Sequence, residues 1–293
     1  MPHLRAGRFD LRTSVECGQL FTYELIDGWY YITRRSRLFA ARQKGSTLEY
    51  RGADDDFIRW FFRLDDDLPA IQRAVSRDPV ITRAFRSCAG LRLVRLDPWE
   101  AILSFLCSPA CNIPRIRKVL RAVATNWGER LELDGVVMHS LPRPSALPGE
   151  KQLRAAGAGF RAAYIRKAAG AIDEDWLKAL EKAGHPSAQE MLLALPGVGR
   201  KIADCVCLFS LGFLQAFPVD TWIKKIMAEL YLPGSNPSDE AIRRFAHEYF
   251  GRYAGYAQQY LYTFYRGCPK EQWNTGRADA RMPCRRLIPG GAP

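Results

Sequence analysis

The sequence predicts an α+β fold. An N-terminal antiparallel β-sheet domain with helices covers residues 1–95, and an all-α domain built around a helix-hairpin-helix covers 96–293. Three observations predict it. The first fifty residues are β-prone runs punctuated by turn signals. From about Asp54 onward the apolar residues change to helical spacing. Residues 187–212 read as two helices joined only by Pro196-Gly197-Val198-Gly199.

Each element follows in order. "LFTYELIDGWYYITRR" is two β-prone runs around Asp27-Gly28, a strong hairpin signal. "RLFAARQKGSTLEYRG" repeats the design with Lys44-Gly45, so a meander is expected. "DDDFIRWFFRL" opens a helix with acidic residues in its first turn, where the helix dipole favours them. "DPWEAILSFLCS" carries an Asp-Pro helix start. In "IPRIRKVLRAVATNWG", Ile116, Leu120, Val123 and Trp127 make one apolar face, and Arg117, Lys118 and Arg121 fall elsewhere. Pro142, Pro144 and Pro148 mark an irregular connection. Further helices are expected at 160–171, 173–183, 187–195, 200–212, 221–231, 239–250 and 255–265. The tail from about Cys268 is rich in Gly, Pro and Arg and reads as loop or partly disordered.

Charge narrows the partners. Lys+Arg number 43 against 31 Asp+Glu, a formal excess of +12 spread along the 293 residues. That balance predicts a polyanionic partner, nucleic acid ahead of an anionic membrane. "MPHLRAGRFDLR" lacks the apolar core of a secretory signal, and "CVCLFSLGFLQAF" is too short to span a bilayer. The expectation is a soluble intracellular monomer with no membrane partner, in the cytoplasm or nucleoid of a prokaryote or the nucleus of a eukaryote. Eight cysteines, at 17, 88, 107, 111, 205, 207, 268 and 284, give neither a disulfide framework nor a paired zinc spacing. They read as free thiols.

The chemistry concentrates at 195–205, "LPGVGRKIADC". Gly197 and Gly199 allow a tight turn and close approach of another backbone. The N–H groups that open the second helix then point outward with the positive end of its dipole, a site for phosphate. This Leu-Pro-Gly-x-Gly pattern is that of a helix-hairpin-helix, a signal for a sequence-independent grip on a DNA backbone rather than an ordinary glycine-rich helix connection. Lys201 follows directly, and Asp220 opens the next helix in "FPVDTWIKKIM". Singly, Lys201 reads as a phosphate contact and Asp220 as a helix cap. On those readings the protein is a noncatalytic DNA-binding module.

Together, hairpin, lysine and aspartate resemble the helix-hairpin-helix DNA glycosylase superfamily. A lysine at this position implies a bifunctional member, in which the amine attacks C1′, displaces the base and forms a Schiff base that permits β-elimination. An ordinary lysine titrates near ~10.4, so burial and nearby cations must bring it to roughly 7–8. Asp220 would support the cationic sugar. An oxidised-pyrimidine branch shares the hairpin, but it typically carries a four-cysteine iron–sulfur cluster. Only Cys268 and Cys284 follow Cys207, so no such cluster is expected and no cofactor is required. An alkylated-purine glycosylase of the same fold would work without the lysine.

The wider chain resembles the 8-oxoguanine DNA glycosylases through six motifs in order: "ECGQLFTYELIDGWYYI", "DPWEAILSFLCSPACNIPRI", "GAGFRAAYI", "LPGVGRKIADCVCL", "AFPVDTW" and "GYAQQYLY". The resemblance implies base excision repair of duplex DNA containing 8-oxoguanine. Gly18 matches the glycine whose carbonyl reads N7–H, and Gln258 the glutamine on the Watson–Crick edge. Tyr262 takes the place of a stacking phenylalanine, and Cys205 flanks the other face. Phe160 matches the wedging tyrosine. Arg115 and Arg161 match arginines that read the opposite cytosine, with Asn112 the surviving asparagine of a turn that usually carries several. Trp222 stands where a histidine lies near a 5′ phosphate. Gly197, Val198 and Gly199 form the DNA-gripping turn, and the carbonyls of Leu193, Leu195 and Val198 are implied ligands of a bridging cation. Asp204 fits a local structural role or a contact equally.

The departures carry their own expectation. Ala110 replaces the first asparagine of that turn, in Pro109-Ala110-Cys111-Asn112. Excision is expected to persist, with a weaker or altered preference for cytosine opposite the lesion.

Overall fold

The computed structural model describes residues 2–270 and Trp273. The expected loop beyond Cys268 therefore falls largely outside the described residues. Strands β1 (His3–Arg5), β2 (Tyr23–Ile26), β3 (Trp29–Arg34), β4 (Arg37–Lys44) and β5 (Thr47–Arg51) form one antiparallel sheet in the order β1-β5-β4-β3-β2. Asp27 (φ 49°) and Gly28 (φ 78°) both occupy the left-handed region. That is the two-residue turn whose twist suits a hairpin.

The first fifty residues are not all strand. Helix α1 (Leu11–Glu16) interrupts them, started by Asp10, whose carboxylate accepts from Thr13 N at 2.6 Å. Leu11, Ser14 and Val15 face the core, so capping and burial outweigh strand propensity here. After α2 (Asp55–Phe61) come α3 (Leu68–Val75) and α4 (Pro79–Ser87). Asp67 and Asp78 cap them, each with a proline in the first turn, the same start signal that Asp97-Pro98 gives α5 (Pro98–Leu106).

Helix α6 (Ile113–Trp127) buries Ile116, Val119, Leu120 and Val123. Its basic residues hold the sheet: the Arg117 guanidinium lies 3.9 Å from the Tyr23 ring centroid, and Arg121 pairs with Glu24. A second hairpin then follows, β6 (Arg130–Leu133) and β7 (Val136–His139), turning at Asp134 (φ 52°) and Gly135 (φ 78°). It lies in the helical half of the sequence but packs on the N-terminal sheet. Leu131, Leu133, Val136 and Met138 cover Trp29, Tyr31, Leu38 and Ala40. Both faces of β3 are thereby buried.

The remaining helices are α7 (Glu150–Leu153), α8 (Arg161–Gly170), α9 (Glu174–Lys182), α10 (His185–Leu193), α11 (Arg200–Val206), α12 (Thr221–Leu230), α13 (Asp239–Phe250) and α14 (Ala254–Arg266). Helix α11 continues through a π-helical turn, Cys207–Leu211, and stops at Gly212 (φ 83°). One apolar core runs through residues on both sides of residue 95. Helix α14 is its axle: Tyr260 stacks on Phe85 of α4 at 3.7 Å between centroids, and Tyr256, Tyr260 and Tyr265 are fully buried. Thus α14 carries side chains from the core to the floor of a cleft.

Candidate active site

That cleft, about 1660 Å³, opens between the α5–α6 turn, the hairpin, the start of α12 and one side of α14. Lys201 is the second residue of α11 and half-buried. Its Nζ donates to Ser108 Oγ at 3.0 Å and lies 5.3 Å from the Phe105 ring centroid. The Ser108 hydroxyl donates its own proton to the Phe105 carbonyl at 2.7 Å. An oxygen lone pair is therefore left facing the amine. The turn that follows α5 thus holds the lysine by its amine.

Asp220 serves two purposes at once. Its Oδ1 accepts from Ile223 N at 2.8 Å and caps α12. Burial pushes its pKa above the usual carboxylate value, while the helix-start N–H groups and the Lys201 charge oppose that rise. Cys205, one turn beyond Lys201, is 3% exposed, and burial raises its thiol to about 12. It is a neutral wall at physiological pH.

The structure brings the expected base-reading groups to the same cleft. Gly18 adopts φ +94°, and a side chain there would meet Ile113 Cδ1 at 2.7 Å. Only a bare backbone lines that point. Gln258 is 5% exposed, and its side-chain carbonyl is buried with no hydrogen-bond partner among the described residues. A buried amide left so costs free energy until a donor arrives. The Tyr262 hydroxyl accepts from Arg266 Nη1 at 3.0 Å. Burial raises that phenol to about 12 against the pull of the Arg266 charge.

Farther out, Phe160 is 54% exposed at the start of α8, as a wedge requires. In the hairpin, Gly197 takes φ +82°, and a Cβ there would lie 2.5 Å from Cβ of Tyr164, so the turn rests on that tyrosine. Gly199 precedes α11 with open space around it. Val198 is buried and donates to the Leu195 carbonyl at 3.1 Å, while Leu193 closes α10. Trp222 is half-buried at the cleft wall, beneath the Lys225 ammonium. Asn112 caps α6, accepting from Arg115 N at 3.0 Å, and both side chains are exposed.

Arg161, matched to an arginine that reads the opposite cytosine, is turned inward in this structure. It is 5% exposed; its Nε donates to the Pro109 carbonyl at 2.8 Å and its Nη1 to the Ala158 carbonyl at 3.3 Å. It braces the turn between α5 and α6. Ala110 in that turn holds φ +50°, a conformation that asparagine tolerates better than alanine. Asp204 takes the structural alternative. Its carboxylate, 2% exposed, accepts from Arg243 Nε at 2.7 Å, Gln189 Nε2 at 2.7 Å and Arg200 Nε at 3.4 Å. It ties α11 to α10 and α13.

Ser108 and Arg266 are site residues that sequence patterns do not single out, and Tyr164 falls within the GAGFRAAYI motif without any sign there that the hairpin rests on it. Ser108 is 93 positions from the lysine it holds, and no local spacing encodes that pair. Arg266 reads as an ordinary cation at a helix end. Among the described residues, no three His, Cys, Asp or Glu side chains cluster to hold a metal.

Comparison with known proteins bears on this geometry. Residues 3–102 match the family model "8-oxoguanine DNA glycosylase, N-terminal domain". The chain is 31% identical over 228 residues to a probable N-glycosylase/DNA lyase of Methanothermobacter thermautotrophicus, covering 70% of this chain and 72% of that one. It is 35% identical over 200 residues to N-glycosylase/DNA lyase OGG1 of Arabidopsis thaliana, covering 64% of this chain and 55% of the relative. The 8-oxoguanine glycosylase/lyase of Clostridium acetobutylicum superposes with a TM-score of 0.81 at 31% identity. That holds both in its apo form, over 89% of this chain and 94% of that one, and on duplex DNA with cytosine opposite 8-oxoguanine, over 87% and 90%.

Proposed function

The chain belongs to the 8-oxoguanine DNA glycosylase family, and we propose that Lys201 is its nucleophile and Asp220 the carboxylate that supports the sugar cation. The protein is a DNA N-glycosylase with lyase activity, acting on 8-oxoguanine in duplex DNA. One observation carries the residue assignment: the Lys201 amine is held by Ser108 inside the cleft whose walls present Gly18, Gln258 and Tyr262.

The steps follow from these positions. The hairpin at Gly197–Gly199 grips a phosphate, and the excess of basic residues draws duplex DNA in a salt-dependent way. The damaged nucleotide leaves the stack, and Phe160 fills the space. Tyr262 and Cys205 flank the base, the Gly18 carbonyl accepts its N7–H, and the Gln258 amide meets its Watson–Crick edge. The Lys201 amine nitrogen bonds to C1′ as the C1′–N9 pair departs with the base, and Asp220 faces the positive charge on the sugar. The ammonium proton neutralises the base, the sugar opens to a Schiff base, and loss of the 2′ proton cleaves the strand.

No cofactor enters these steps. A bridging cation fits the hairpin: carbonyls are hard oxygen ligands, the Ala194 and Leu195 N–H groups go to the Glu190 and Leu192 carbonyls rather than to that of Leu193, and the Leu195 carbonyl keeps a lone pair beyond its bond to Val198 N. Leu193, Leu195 and Val198 would hold it and strengthen the phosphate grip. No helix among the described residues is long and apolar enough to cross a membrane, and an intracellular DNA-bound role accords with the basic charge.

Borohydride trapping on an 8-oxoguanine duplex tests the assignment. A covalent adduct with the wild type and none with Lys201→Gln is expected. No adduct with the wild type would overturn the mechanism, and an adduct retained by the variant would overturn the residue.

A further inference from the structure

Arg266 is the last residue of α14, and a cation there would ordinarily face water and the helix-end carbonyls. The structure turns it into the cleft instead. Its Nη1 donates to the Tyr262 hydroxyl at 3.0 Å, and its guanidinium carbon lies 4.8 Å from that ring's centroid. The same Nη1 lies 3.6 Å from where a Cβ on Gly18 would stand. Arg266 forms no salt bridge among the described residues. No carboxylate among those residues contacts its positive charge, and the Asp220 carboxyl feels it.

Gly18 and Tyr262 are the groups assigned to one edge and one face of the flipped base. A guanidinium adjoining both stands beside the base itself. We infer that Arg266 stabilises the negative charge that 8-oxoguanine acquires as it leaves, making it a further rate- and specificity-determining residue of this enzyme. The inference rests on the functional reading above. When Lys201 bonds to C1′, the C1′–N9 bond breaks and its electron pair goes to the purine. The base is an anion until the ammonium proton reaches it. A fixed cation in a partly dry cleft favours that state over the neutral bound base. A guanidinium suits the task, because it stays charged at any working pH and its planar donors are already oriented by Tyr262.

The two reactions of the enzyme separate this role from a structural one. Only excision expels a base; the lyase step on a preformed abasic site does not. Arg266→Leu should slow single-turnover release of 8-oxoguanine on the order of 10- to 100-fold. Strand cleavage at a preformed abasic site, and affinity for a duplex holding a stable abasic analogue, should stay within about twofold. Arg266→Lys should recover part of the excision rate, since it keeps the charge and loses the fork. Equal loss in both reactions would mean a merely structural role and overturn the inference, as would excision unchanged in Arg266→Leu. If Arg266→Leu fails to fold, Arg266→Gln, which removes the charge but keeps a polar side chain, decides: an excision deficit confined to base release sustains the inference, and none overturns it. A wild type that trapped no adduct and released no 8-oxoguanine would overturn the functional reading, and this inference with it.

Discussion

On the side of the cleft assigned to the lesion, four of the groups assigned to the base or sugar are fixed by something other than DNA. Lys201 rests on Ser108, Asp220 on the first turn of α12, Tyr262 on Arg266, and Gly18 holds a backbone conformation, φ +94°, that side chains rarely adopt. On the side assigned to the opposite base, the turn at 108–112 presents Ala110 without a polar side chain. Arg161 spends its donors on the turn's own backbone, and Arg115 is left exposed. One side is preorganised for chemistry, and the other holds its shape with few groups left to read a base. Rate and opposite-base discrimination should therefore be separable in this protein, because they are built on different residues.

The sharpest break comes on the lesion side. Lys201→Gln should lower excision by on the order of 10⁴-fold or more and abolish the Schiff base, whichever base lies opposite. Asp220→Asn should cost roughly 10²- to 10³-fold in single-turnover rate with little loss of stability, since asparagine caps a helix about as well as aspartate. The pH profile adds a sign. Asp220 supports the sugar cation only when ionised, and burial raises its pKa. The acid limb of the excision rate should thus lie above the ordinary carboxylate range, with activity falling as pH drops through it. Asp220→Asn should lose that limb. A limb unchanged in the variant would assign it to another group.

Gly18→Ala comes next in size. The backbone there holds φ +94°, and the added methyl would press on Ile113 Cδ1. Strain of about 1–3 kcal/mol must be relieved by moving the carbonyl assigned to read N7–H. Excision of 8-oxoguanine should fall on the order of 10-fold or more, while cleavage at a preformed abasic site should change little. Parallel loss of both activities would show that Gly18 shapes the whole cleft rather than reading a base.

On the other side the expected effects are smaller and concern ratios. The wild type should favour cytosine over adenine opposite the lesion by less than roughly tenfold, the scale of a single hydrogen-bonded contact. Ala110→Asn places a polar side chain at that position in a backbone conformation asparagine accepts readily. It should raise the ratio by roughly 5- to 10-fold without lowering the rate opposite cytosine. A steep preference already present in the wild type would show that Arg115 and its neighbours suffice.

The sequence made one side of the cleft far more legible than the other. The hairpin, Lys201 and Asp220 announce themselves because a glycine turn, a helix start and a cap are local devices with fixed spacing. The β-meander was readable for the same reason, its Asp27-Gly28 turn being demanded by hairpin twist. Helix α1 was not, because a six-residue helix is decided by one aspartate cap and three buried side chains rather than by period. The β6–β7 hairpin carries the same Asp-Gly signal, but its apolar face makes sense only against Trp29 and Tyr31, a hundred residues earlier. Ser108 and Arg266 stayed hidden because their meaning lies in what they touch. Arg161 is the reverse case: its motif suggests a reader, and only the fold shows its guanidinium turned onto Pro109.

That placement yields the smallest expected effect on catalysis. Arg161→Ala removes a 5% exposed guanidinium and leaves the Pro109 and Ala158 carbonyls without their donor. Losing charge-assisted bonds of this kind costs about 1.5–3 kcal/mol, so thermal unfolding should begin several degrees lower. If bracing is all that Arg161 does, excision opposite cytosine should fall no more than about threefold below the melting range, and the cytosine-to-adenine ratio should not move. Arg161→Lys should recover little stability, since a single ammonium cannot span both carbonyls as the planar fork does. A collapse of the ratio with stability intact would instead mean that Arg161 leaves Pro109 when DNA binds and reads the opposite base, and that both sides of the cleft are organised for recognition.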